Sequence, residues 1–166
     1  IYYGTEQAFR QAVDRLDPEG PDLPADPRNR EDMFEEGKFK SESSVGDKFD
    51  QDSPMFKRFA QLAALRREHG ALRRGEQYVR WADSGGPGIY AFSRIYGDSE
   101  VLVVMNTAGT ARSARMWVDS SLTPPGTPLS DALDPAFSAA AGAADGGSKV
   151  TVDVPPYGLR VLVRKR

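Results

Sequence analysis

From Glu76 to the C-terminus the sequence is cut into short segments that read as strands. "EQYVRWA", "GIYAFSRIY", "EVLVVMN", "ARSARMWVD", "KVTVDV" and "LRVLVRK" are β-branched or aromatic and often alternate by two. That period sends successive side chains to opposite faces of a pleated strand. Turn clusters separate the segments: "DSGGPG", "YGDS", "NTAGT" and "PPYG". Several short strands at this spacing predict an antiparallel sandwich or barrel. "SAAAGAADGGS", residues 138–148, is low in complexity and reads as a mobile loop. Internal repeats are lacking.

The first half has a different grammar, and the two halves join near Gly75. In "TEQAFRQAVDRL" the spacing of Ala8, Phe9, Ala12, Val13 and Leu16 predicts a short helix with Thr5 as its N-cap. "DPEGPDLPADPRNRED" carries four prolines and cannot be regular structure, because proline removes the backbone donor and restricts its predecessor. Residues 33–53 are dominated by charge, serine and glycine, a loop length that is usually functional or poorly ordered. The strongest helix follows. Asp52 and Ser53 are cap candidates, Pro54 suits the first turn, and Met55, Phe56, Phe59, Leu62 and Leu65 trace an apolar stripe. Arg66, Arg67 and His69 crowd its C-terminal end, and Gly70 is placed to close it.

Totals narrow the function classes. Of 166 residues, 22 are Lys or Arg and 24 Asp or Glu, a formal net charge of −2, which argues against a nucleic-acid binder with a basic stripe. Apolar runs fall far short of the roughly 20 residues a membrane helix needs. There is no cysteine and one histidine, so no thiolate nucleophile, disulfide or metal-spaced His/Cys cluster exists. His69 reads as a helix-end residue. No phosphate-binding loop occurs, and the pair Glu35 and Glu36 lies in a charge-rich loop that reads as solvated surface. Exposed aromatics in a flat row would suggest sugar stacking, but Tyr78 and Trp81 are an odd number apart and should face opposite sides of a strand.

One polar cluster stands apart: "ADPRNRED", residues 25–32. Asp26 is held extended or in a turn by Pro27, with Arg28, Asn29 and Arg30 following. Carboxylate, amide and guanidinium together suit polyol hydroxyls, which donate and accept at once. An Asp-Pro turn with solvated arginines is the plainer alternative.

The order of these pieces carries more than any one of them. "IYYGTEQ", "DPRNRE", "LAALRREHGALRRG", "GIYAFSRI", "VLVVMNT" and "VPPYGLRVLV" in succession resemble the C-terminal part of the α-amylase family of glycoside hydrolases. The resemblance implies an α+β chain with two domains. Residues 1–74 would be the end of a (β/α)8 barrel (last strand, substrate loop, last helix), and residues 75–166 a C-terminal antiparallel β-sandwich of Greek-key type. A complete barrel takes about 250 residues, so the resemblance implies that seven strands and the family's three catalytic carboxylates lie upstream of Ile1. It further implies that Asp26 and Arg30 bind a sugar and that Glu6 and Gln7 support the cleft wall. It gives this chain no catalytic residue, metal or cofactor, and its partner would be an α-glucan or oligosaccharide, met through the parent enzyme. The chain alone would then be structural and inactive, a non-catalytic carbohydrate-binding or interaction module being the alternative. Neither nucleic acid nor membrane is expected as a partner. Self-association through the unpaired barrel strand is.

Overall fold

The computed structural model describes residues 4–8, 33 and 49–165. Two compact units divide the chain, Ile1–Ala63 and Ala64–Arg166. Helix α1 (Pro54–Glu68) carries the chain from one to the other.

In the first unit the start of α1 is fixed by its own sequence. Ser53 is buried, and its Oγ accepts the Phe56 amide at 3.1 Å, satisfying one of the donors a helix leaves open. Pro54 occupies the next position, where its missing N–H costs nothing. The helix that Thr5 was expected to cap runs into residues outside those described. Thr5 itself opens a single 3-10 turn, Thr5–Gln7, preceded by Gly4 at φ 73°, a left-handed conformation that glycine adopts without strain. The helix expected to continue beyond Ala8 lies outside the described residues, as do the proline-rich stretch and residues 34–48.

In the second unit α1 ends sooner than Gly70. His69 takes an extended conformation (φ −101°, ψ 107°), and Gly70 begins a further short helix, α2 (Gly70–Arg74), instead of closing the first. The His69 amide still donates to Leu65 and its carbonyl accepts from Leu72, so the break keeps its backbone bonds.

Nine strands follow: β1 (Glu76–Ala82), β2 (Ile89–Tyr96), β3 (Ser99–Asn106), β4 (Arg112–Val118), β5 (Pro128–Asp131), β6 (Ser138–Ala140), β7 (Gly142–Ala144), β8 (Gly147–Val154) and β9 (Leu159–Arg164). They form a six-stranded sheet, β1-β2-β3-β9-β5-β6, and a three-stranded sheet, β4-β8-β7, with every pairing antiparallel. The chain crosses between the sheets after β3, β4, β6 and β8, and the last crossing sets β9 between β3 and β5.

Alternation along the strands separates two cores. Ile89, Ala91, Leu102, Val104 and Leu162 face Met116, Val150, Val152 and Val154 of the small sheet. The opposite side chains of the large sheet, Val101, Val103 and Val161, pack with Leu65 and Ala71 of the helices. Both faces of β3 are therefore buried, which is why its middle, Val101 to Met105, is an unbroken apolar run.

The stretch 138–148 is not the loop its composition suggests. It supplies β6, β7 and the start of β8, and Ala141 between them is buried. Alanine and glycine carry too little contrast to show a period of two. The legible signal was Asp145-Gly146, both at positive φ (41° and 81°), the pair that a two-residue hairpin turn demands.

Candidate functional site

Of the four site residues expected from sequence, Glu6 and Gln7 lie among the described residues, whereas Asp26 and Arg30 lie outside them. The Thr5–Gln7 turn is tied to the beginning of α1. Gln7 is 3% exposed, and its Nε2 donates to the Asp50 carbonyl at 3.2 Å. The Ser53 hydroxyl donates to the Glu6 carbonyl at 3.3 Å while capping α1. Gln7 Oε1 is buried and finds no hydrogen-bond partner among the described residues. Glu6 is half-buried. Segments more than 40 residues apart in sequence are thus joined by two polar bonds, and both expected support residues take part, Glu6 through its backbone and Gln7 through its side chain.

The second unit holds three buried polar centres that sequence reasoning missed. The first is Glu100, whose side chain is 2% exposed. Its carboxylate pairs with Arg80 at 3.0 Å and accepts from Ser93 Oγ, Thr123 Oγ1 and the Asp119 amide. It joins β1, β2, β3 and the segment after β4. The second is Asp131, wholly buried by side chain, which shares the Arg160 guanidinium with Asp134 at 3.0 and 2.8 Å. Arg160 also lies 3.9 Å from the Phe137 ring centroid. Its hydrogen bond holds the Asp134 carboxyl below its ordinary range. The third is Asn106. Its amide donates to the carbonyls of Thr110, Val154 and Pro155, and its oxygen accepts from Ala108. A lone Glu opening an apolar strand and a lone Arg inside "LRVLV" were the available hints.

Chemically these centres are spent. A carboxylate serving as nucleophile or general acid must reach substrate. Glu100 and Asp131 are instead enclosed and saturated by donors, which stabilises connections between strands. Among the described residues, no group of three or more His, Asp or Glu side chains is disposed to hold a metal ion, and no helix is long and apolar enough to cross a membrane. An open groove of about 600 Å³ runs past Glu68, His69, Ser99, Leu122, Thr123 and Arg164.

Comparison with known proteins gives this architecture a context. No protein-family model matches the sequence. An α-amylase of Streptomyces lividans is 34% identical over 165 residues, 98% of this chain and 17% of its own length. The chain therefore spans about a sixth of that relative. Among solved structures, the cyclomaltodextrin glucanotransferase CldA, described as having a three-domain ABC distribution, matches with a TM-score of 0.66 at 19% identity, over 100% of this chain and 29% of its own. The α-amylase of Geobacillus thermoleovorans, solved with acarbose, matches with a TM-score of 0.56 at 17% identity, over 72% and 25%. At these identities the structural likeness is one of fold. The fold and the sequence identity along nearly the whole chain agree: the chain corresponds to a C-terminal part of an α-amylase-family enzyme.

Proposed function

We propose that this chain is the non-catalytic C-terminal portion of an enzyme that cleaves or transfers α-glucosyl units through a covalent glycosyl-enzyme. The observation that carries this is the 34% identity to an α-amylase along 98% of the chain. Retaining hydrolysis needs two carboxyl groups roughly 5 Å apart, one attacking and one donating a proton. In this reading that pair, and the third carboxylate that stabilises the transition state, belong to residues outside the chain, so the chain alone is inactive. Residues 1–74 then serve as the end of the barrel, and residues 75–166 as the sandwich that closes it. Asp26 and Arg30 bind a substrate hydroxyl as acceptor and donor. Glu6 and Gln7 support the cleft wall, a role consistent with the anchoring of their turn to α1. An α-glucan or oligosaccharide is the partner, met through the parent enzyme, and the barrel strand at residues 1–3 offers a route to self-association.

Turnover of soluble starch and a chromogenic α-glucoside by the purified chain tests the reading. The expected rate is that of buffer. Turnover that co-purifies with the chain and disappears on substitution of one of its own carboxylates would overturn it.

A further inference from the structure

β1 is an outer strand of the large sheet, and a bulge changes what it presents. Tyr78 pairs with Ser93 and Val79 with Phe92, but the next pair is Trp81 with Ala91, leaving Arg80 as the extra residue. Ser93 and Ala91 are fully buried on the face of β2 turned toward the small sheet. Tyr78 and Trp81 therefore share that face, although their odd spacing would separate them in a regular strand. The two partner positions are two residues apart, about 7 Å along the strand. Because β1 is an edge, the rings remain accessible, Tyr78 at 43% and Trp81 at 38%.

Each ring is also tethered by its polar tip. The Tyr78 hydroxyl donates to Glu76 Oε2 at 2.5 Å, and Trp81 Nε1 donates to Asp83 Oδ1 at 2.8 Å. Asp83 is held in turn by the Ile89 amide at 2.7 Å. With both tips engaged by neighbouring carboxylates, a ligand would meet the rings themselves, one face of Tyr78 lying beneath the Arg80 guanidinium. Charges of both signs surround them: the Arg80 guanidinium lies 5.7 Å from the Tyr78 centroid, Asp119 is in electrostatic reach of Tyr78, and Arg112 in reach of Asp83. Protein-interface cores are poor in charge. Flat apolar faces rimmed by acceptors and donors instead match a pyranose ring, with C–H bonds on one face and hydroxyls around its edge.

We propose that Tyr78 and Trp81 form a two-ring platform that binds a linear α-glucan by stacking one sugar on each aromatic face. The choice of an α-glucan rests on the proposed function; the platform itself does not. Maltoheptaose titrated into the 166-residue chain, followed by calorimetry and tryptophan fluorescence, tests both, with cellohexaose as the second probe. Saturable maltoheptaose binding is expected. Trp81→Ala and Tyr78→Ala should each weaken it about tenfold, Trp81→Phe should retain most of it, and Trp117→Ala should leave it unchanged. The urea midpoint of each variant reports whether the fold is intact. Binding of cellohexaose alone, with the same dependence on Trp81 and Tyr78, would support the platform and overturn the α-glucan assignment. Failure to bind either sugar, or binding indifferent to both aromatics, would overturn the platform. So would a sugar-independent self-association that Trp81→Ala abolishes.

Discussion

Glu100→Ala should be among the most damaging single substitutions in the sandwich. The carboxylate is the common acceptor for the Arg80 guanidinium, two hydroxyls and the Asp119 amide, and both charged partners are largely enclosed, at 2% and 16% side-chain exposure. Removing it leaves a cation and several donors without their acceptor, and it unties β1 from β3. Breaking a buried pair from one side costs about 3–5 kcal/mol. Glu100→Gln keeps the shape and one acceptor oxygen, so its loss should be smaller, about 1.5–3 kcal/mol. Replacing both charges, with Arg80→Met and Glu100→Leu together, should recover part of the loss, because no unpaired charge remains. Urea unfolding followed by fluorescence of the two tryptophans, Trp81 and Trp117, measures all three variants. A loss below about 1 kcal/mol for Glu100→Ala, with an unchanged denaturant slope, would refute the reasoning. It would mean that solvent readily replaces the carboxylate.

Other substitutions probe separate links. Ser53→Ala removes the cap of α1 and should cost about 1 kcal/mol, with faster hydrogen exchange at the Phe56 amide. Gly75→Ala would set a Cβ 2.5 Å from the Ala71 carbonyl oxygen and 2.7 Å from that of Ile95, both backbone, and should lower stability by about 1–3 kcal/mol in a thermal melt. The Asp83 carboxyl is held below its ordinary value of 3.8, first by the Ile89 amide and then by the Trp81 indole. Its contribution is therefore complete well above pH 3.8 and is lost as the pH falls through the depressed value. Asp83→Asn should flatten that part of the acid limb of the stability–pH profile, and an unchanged limb would show that the tether does not couple to folding.

Much of the sandwich was legible because its central strands obey local rules. "GIYAFSRIY", "EVLVVMN", "KVTVDV" and "LRVLVRK" carry β-branched density and turn signals at both ends, and they became β2, β3, β8 and β9 nearly residue for residue. The strands that escaped notice are short or compositionally flat. Pro128–Asp131 opens on a proline, and β6 and β7 are built from Ala, Gly and one Ser. Their pairing is a backbone affair dictated by neighbours that sequence does not display. The α1 stripe was visible at Phe56, Phe59, Leu62 and Leu65, which are partly or fully buried, while Met55 is exposed. The bulge at Arg80 is the clearest illegible feature. Strand parity fixes faces only while the register is unbroken, and the extra residue follows from the reach of Arg80 to Ser93 and Glu100, a tertiary demand. Of the candidate site, the Thr5–Gln7 turn could be anticipated as a motif. Its attachment to Asp50 and Ser53 could not, because the partners are more than 40 residues away.

The most direct test of the central claim is a covalent trap. A 5-fluoro-α-glucosyl fluoride loses its anomeric fluoride to the nucleophilic carboxylate of a retaining α-glucosyl-cleaving enzyme and leaves a slowly hydrolysed glycosyl adduct. Intact-mass spectrometry of the purified chain after prolonged incubation should show the unmodified mass. A stoichiometric adduct, mapped by peptide analysis to one of this chain's own Asp or Glu residues, would contradict the account, because it would place a catalytic nucleophile within these 166 residues.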